Sequence, residues 1–268
     1  QCLVGSEMCI RDSNDIMQSN FIFFMKERII SFSWQHLLLI VSLFIMACGV
    51  ALCVRSNFGS SVIATIPFVM TLAGEAGMAP QFTIGEYTYI MNILFIGLQV
   101  LILRRGFPRM QFFQFIIGFV FGFLLDVNMW LTSIIVCNTI LWKVAVQLMG
   151  CVLLAVGISL EIRCGSVTMP GEGIVVAVGK ATDIPFAKAK IMVDISLVVI
   201  AVAWGYFYFG TWQWQVVGAG TLISMIIVGI MVKLFDKHLE WFSRLLYYRP
   251  GFRRYIYGLA RCICDKIR

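Results

Sequence analysis

Ala47-Cys48-Gly49-Val50-Ala51-Leu52-Cys53-Val54-Arg55 closes the first long apolar run, and Ala155-Val156-Gly157-Ile158-Ser159-Leu160-Glu161-Ile162-Arg163 closes the fourth. Set at one constant offset, Ala, Gly, Leu and Arg coincide, while Val50/Ile158 and Val54/Ile162 are conservative pairs. Three apolar runs make up the interval from one motif to the next. An odd number of spans per repeat places the second copy upside down in the bilayer, a common construction among secondary transporters. Short apolar motifs also coincide by chance, so the repeat needs a second correspondence.

Composition sets the class. Hydrophobic residues make up 60% of the 268, charged residues 13%, and the mean hydropathy is +0.90. Soluble domains carry about twice that share of charge. The expectation is one polytopic, all-α membrane protein. Its 21 basic residues against 14 acidic ones read as cytoplasmic loops rather than as a nucleic-acid surface.

Six runs approach the roughly 20 residues needed to cross the hydrocarbon. They lie near Trp34–Val54, Thr83–Leu103, Met110–Leu131, Trp142–Leu160, Lys190–Phe209 and Trp214–Val232. Two three-span repeats, 34–131 and 132–235, follow. Residues 1–16 resemble translated sequencing-adaptor read-through, with Met17 or Met25 as the expected native start. Residues 17–33 form a cytoplasmic N-terminus. Residues 236–268 form a basic, aromatic cytoplasmic tail, expected as an interfacial helix on anionic lipid, with a regulatory tail as the alternative.

Lys26, Arg28, Arg104, Arg105, Arg109, Arg163, Lys180, Lys188, Lys190 and the basic tail fall on one side, with only Arg55 and Lys143 opposite. Both termini are therefore expected in the cytoplasm of a bacterial plasma-membrane protein. Ile45-Met46-Ala47-Cys48 resembles a lipoprotein cleavage box, but its positions recur in span four, where no cleavage occurs, so it reads as helix.

The second correspondence lies just beyond each arginine. Gly59-Ser60-Ser61 and Thr168-Met169-Pro170-Gly171 each open a short apolar run, too short to span and so expected as a half-helix or re-entrant segment. Asn92 in span two and Asp194 in span five match in depth. Gly118 and Gly122, then Gly220 and Ser224, give spans three and six a small-residue spacing that permits close backbone approach.

Arg55 and Arg163 carry two readings. Each snorkels to nearby headgroups, or together they frame a central anion site with the half-helix N-termini near Ser60 and Gly171. Ser60, Ser61 and Thr168 cap those ends or touch the ligand. Glu172 suits a helix start after Pro170, or binds a cation or proton, or pairs with Arg163. Asp194 either bridges to the neighbouring lysines or faces the interior as a proton-coupling group. Asn92 joins the substrate-contacting set. Glu86 and Asp126 read as interfacial. Cys48, Cys53, Cys137 and Cys151 read as small hydrophobes and Cys262/Cys264 as unpaired thiols or an acylation or metal pair, while His36 and His238 have no partners for zinc. No catalytic signature is present, and neither a metal nor a cofactor is expected.

The Gly49-x-x-Leu52-x-x-Arg55 and Gly157-x-x-Leu160-x-x-Arg163 ends, Pro170-Gly171-Glu172-Gly173 and Gly218-Ala219-Gly220-Thr221-Leu222 resemble the bacterial YczE/YyaS/YitT group of integral membrane proteins. That resemblance implies the topology but no substrate. A basic tail stands where YitT-type members carry a small soluble domain, which is closer to the YczE-like branch.

The expected function is secondary transport of a small, anionic solute, with Glu172 or Asp194 coupling protons. The alternative is a non-transporting scaffold or accessory subunit of an envelope or export system. The expected partners are the bilayer, anionic lipids at the tail and the solute, with homo-oligomerisation left open.

Overall fold

The computed structural model describes residues 33–164, 167–239 and 242. The adaptor-like leader, nearly all of the N-terminal segment, Cys262, Cys264 and most of the 236–268 tail lie outside the described residues. Leu39–Phe242 forms one compact unit, and Gln1–Leu38 with Ser243–Arg268 forms another, of which only residues 33–38 are described.

Among the described residues there is no strand. The helices are α1 (Ser33–Arg55), α2 (Thr65–Glu75), α3 (Ile84–Leu103), α4 (Gln114–Leu131), α5 (Ile140–Cys164), α6 (Pro170–Thr182), α7 (Phe186–Phe209) and α8 (Ala219–His238). A 3-10 turn, Val62–Ala64, leads into α2, and another, Arg109–Phe113, leads into α4. Five of the helices are long and apolar enough to cross a membrane: α1, α3, α4 with its flanks, α5 and α7. The chain is an all-α polytopic membrane protein.

The expected sixth span, Trp214–Val232, needs correction. Its helix starts at Ala219, and the apolar stretch Ala219–Phe235 is shorter than the other five. Trp214, Val216 and Val217 are apolar, but their segment is tied to another part of the chain. Val216 O accepts from Ser60 N at 3.0 Å, and Gly220 N donates to Phe58 O at 2.8 Å. These bonds hold the approach to α8 against the chain that follows α1.

The helix ends follow local chemistry. Thr83 and Glu86 form a capping box at the start of α3, satisfying otherwise orphaned N–H groups. Asp126 of α4 accepts from Gly85 N at 2.9 Å and from Thr83 Oγ at 2.7 Å. Glu86 and Asp126, expected as interfacial groups, are therefore end-capping groups. Pro170 begins α6 with Glu172 in its first turn. Both α2 and α6 are shorter than a bilayer crossing needs.

The two most buried spans, α1 and α5, run antiparallel in backbone contact. A Cβ on Gly157 would lie 2.7 Å from Met46 N, and one on Gly49 would strike Leu154 and Gly150. The pairing is reciprocal: Gly49 meets Leu154, and their offset equivalents, Gly157 and Met46, meet in turn. The same exchange recurs further out. Short α6 packs on α3 while short α2 packs on α7, and each also packs on the long helix that follows it. Val62, Met91, Phe95, Ile174, Val175, Ala189 and Leu197 form the apolar core between them.

The backbone contact at the α1–α5 crossing makes a prediction. Gly49→Val and Gly157→Val should each destabilise the detergent-solubilised protein by about 1–3 kcal/mol, the usual range for overpacking. Gly97→Val, where a Cβ meets nothing within 4 Å, should leave the thermal unfolding midpoint unchanged.

Candidate functional site

The two arginines do not share a site. Arg55 Nη2 donates to Met129 O at 2.8 Å, and Arg163 Nη1 donates to Leu239 O at 2.9 Å. Each therefore ties the end of its own helix to the far end of α4 or α8. Because α1 and α5 are antiparallel with Met46 against Gly157, the backbone positions of the two arginines lie about 20 Å apart along the bundle, at roughly 1.5 Å per residue. The anion site that was to be framed by both is corrected accordingly: their repeat-equivalent positions reflect equivalent stapling jobs.

The short segments do meet. Gly171, at the start of α6, lies against Ile63 of the 3-10 turn before α2 (2.6 Å from its glycine Cβ position to Cδ1). Ser60 is committed to the backbone, its Oγ donating to Val216 O at 2.9 Å. Beside it, Ser56 Oγ donates to Gln147 Oε1 at 2.7 Å and Gln147 Nε2 to Gly220 O at 2.9 Å. Ser61 is buried with an unpartnered hydroxyl. Thr168 is half-buried.

The chemistry concentrates at the start of α6. Glu161 of α5 is 3% exposed, and its Oε1 accepts from Met169 N at 2.6 Å, which anchors α6 to α5. Glu172 is 6% exposed. It lies near enough to Glu161, Lys190 and Asp194 to interact electrostatically with each. Lys190 and Asp194 form an ion pair at 3.1 Å within α7. Asp194 is thus bridged to a lysine and is also buried.

Two amides complete the cluster. Gln99 of α3 and Gln114 of α4 are fully buried, and a Cβ on Gly173 would lie 2.7–2.8 Å from their amide atoms. Gly173 therefore lets both amides touch the α6 backbone. Gln99 Nε2 donates to Pro170 O at 3.1 Å. Gln99 Oε1, both polar atoms of the Gln114 amide, Glu161 Oε2 and Glu172 Oε2 have no hydrogen-bond partner among the described residues. Asn92 sits two turns along α3 from Gln99. Its buried, unpartnered amide lies against Gly118, with Nδ2 3.2 Å from that glycine's Cβ position.

Glu172 and Asp194 are thus brought together with three residues that the sequence did not single out: Glu161, Gln99 and Gln114. The signal for Glu161 was an acid inside an apolar run, at the position Cys53 occupies in the first motif. The signal for the glutamines was an uncharged amide among apolar neighbours. A small cavity lined by Ala201, Tyr206, Trp212 and Gln213 lies toward the other end of α7 and includes none of these groups. Among the described residues, no group of three or more His, Cys, Asp or Glu is arranged to hold a metal ion.

Residues 33–237 match DUF6198, described as a family of unknown function, and the chain belongs to that family. No curated protein and no solved structure matches the chain.

Since Arg55 and Arg163 each bond a main-chain carbonyl, Arg55→Gln and Arg163→Gln should lower stability. Removing a charged hydrogen bond costs about 1.5–3 kcal/mol, read as a lower thermal unfolding midpoint. An arginine that only reached for headgroups would leave that midpoint unchanged.

Proposed function

We propose that this protein is a secondary transporter of a small solute in a bacterial plasma membrane. In this reading it is built from two inverted three-helix repeats with both termini in the cytoplasm. Glu172, with Glu161 and the Lys190–Asp194 pair, is its proton-coupling centre. The observation that carries the proposal is Glu172 itself, a buried carboxyl beside a second buried carboxyl, at the start of a helix too short to cross. Ionisable groups are costly at such depth and mark ion or substrate pathways by default. A carboxyl there is charged only when a counter-charge is near, and neutral when it holds a proton. That difference is what coupling requires.

The reciprocal contacts of α1 with α5, and of each short helix with the other group's long helix, support the inverted repeat. Short helices that meet end to end inside a bundle support a site near mid-depth. The sign of the solute's charge is left open, because the arginine pair that favoured an anion is engaged elsewhere.

The test is reconstitution into liposomes loaded with a pH-sensitive dye, followed by addition of small anions, cations and neutral metabolites. One solute class should drive proton movement. Glu172→Gln should abolish it, and Glu75→Gln, at an exposed position, should not. Wild-type protein that moves no protons with any solute would transfer the weight to the scaffold reading and to a search for a co-purifying partner.

A further inference from the structure

The unpartnered atoms around the first turn of α6 are unequal in kind. Four are acceptors: Gln99 Oε1, Gln114 Oε1, Glu161 Oε2 and Glu172 Oε2. Gln114 Nε2 is the one unpartnered donor in this group. Exchanging the O and N of either amide changes this balance little. Charge points the same way. Lys190 is matched by Asp194 at 3.1 Å, so Glu161 and Glu172, when ionised, have no further ion-pair partner among the described residues.

We infer that the space around the first turn of α6 is a binding site for a small monovalent cation, an alkali-metal ion or a primary ammonium group, held by Glu161, Glu172, Gln99 and Gln114. Carboxylate and amide oxygens are the ligands that hard cations and N–H donors share. An anion would face two carboxylates. A neutral solute would leave their charge unbalanced in a buried site, which is expensive. A multivalent ion lacks the carboxylate-rich cage it would need.

The corresponding region of the first half gives a contrast within the same molecule. There Ser56, Gln147 and Gly220 bond one another, and both Gln147 amide atoms are used. Those three groups satisfy one another, although the neighbouring Ser61 hydroxyl stays unpartnered, whereas the α6 end carries unfilled acceptors on four side chains from four helices, α3, α4, α5 and α6. Gly173 fits the same account, because any side chain there would push Gln99 and Gln114 away from α6.

The inference deepens the proposed coupling centre and rests on that reading for the choice of carboxylates, but not for transport. The experiment uses the purified full-length protein in detergent, in an N-methylglucamine buffer free of alkali metal. Its thermal unfolding is followed against sodium, potassium and methylammonium chloride, with choline chloride as a bulky control of equal ionic strength. At least one small cation should raise the midpoint saturably above the choline value, and the arms separate an alkali ion from an ammonium group. Glu161→Gln and Glu172→Gln should each abolish the shift, and Gln114→Leu should weaken apparent affinity several-fold. Glu75→Gln should leave it intact.

Should the acid variants fail to fold, wild-type protein is labelled with a hydrophobic carbodiimide, which modifies buried carboxyls. Saturating cation should slow labelling of Glu161 or Glu172 several-fold by mass spectrometry. A response equal to choline for every cation, a shift retained in both acid variants, or labelling indifferent to cation would overturn the site. Cation binding without solute-driven proton movement would sink the transport reading and leave the site standing. Proton movement without cation binding would do the reverse.

Discussion

The architecture depends on two helix backbones that touch. At the α1–α5 crossing, Gly49 lies against Leu154 and Gly150, and Gly157 lies against Met46. Without a hydrophobic driving force between helices in lipid, close packing of small residues is what holds a pair together. That crossing fixes α1 and α5 as the central antiparallel pair. It thereby sends Arg55 and Arg163 to opposite ends, where each secures the last long helix of its group. It also sets the two short segments, which follow those arginines directly, to return toward each other.

Returning inward creates the second constraint. A chain that leaves helical geometry away from water must satisfy its main-chain polar groups within the protein. After α1 this is done by neutral groups: Ser56, Ser60 and Gln147 with the approach to α8. After α5 a carboxylate does it, with Glu161 receiving Met169 N. Equivalent breaks have been sealed with unlike chemistry. The neutral seal uses both atoms of the Gln147 amide and leaves the Ser61 hydroxyl over, while the acidic one leaves several spare oxygen atoms beside Glu172. The two halves thus differ in how one chain break is repaired, on a scaffold whose larger contacts are reciprocal.

Much of this was legible in the sequence because it is carried by length and residue size. The runs that became α1, α3 and α5 are apolar over the required distance. Pro170 followed by Glu172 marks a helix start, whereas Gly49 and Gly157 stood out only as repeat matches, close approach being expected at Gly118, Gly122, Gly220 and Ser224. What was not legible depends on partners remote in sequence. Arg55 finds its carbonyl 74 residues away and Arg163 finds its own 76 away, so nothing local separates a staple from a ligand-binding arginine. The start of the sixth span differs because Trp214, Val216 and Val217 continue its apolar character, while bonds to Phe58 and Ser60 hold the approach to α8 out of the helix. Within the candidate site, the charge on Glu172 and Asp194 drew attention. Gln99 and Gln114 carry no charge, and Glu161 falls where the two motifs differ, opposite Cys53.

The reciprocity of the α1–α5 contact has an evolutionary side. In the vocabulary of assemblies it is isologous: a position on one surface meets a second, and the counterpart of the second meets the counterpart of the first. A surface of that kind is its own complement. A three-helix chain bearing the Gly49-type seam needs no separately evolved partner, only a copy of itself lying the other way up. In the inverted-repeat reading proposed above, fusion of two such copies would free each to change alone. An acid opposite a cysteine, Glu161 against Cys53, is the kind of divergence that a self-paired chain could not have made on one side only.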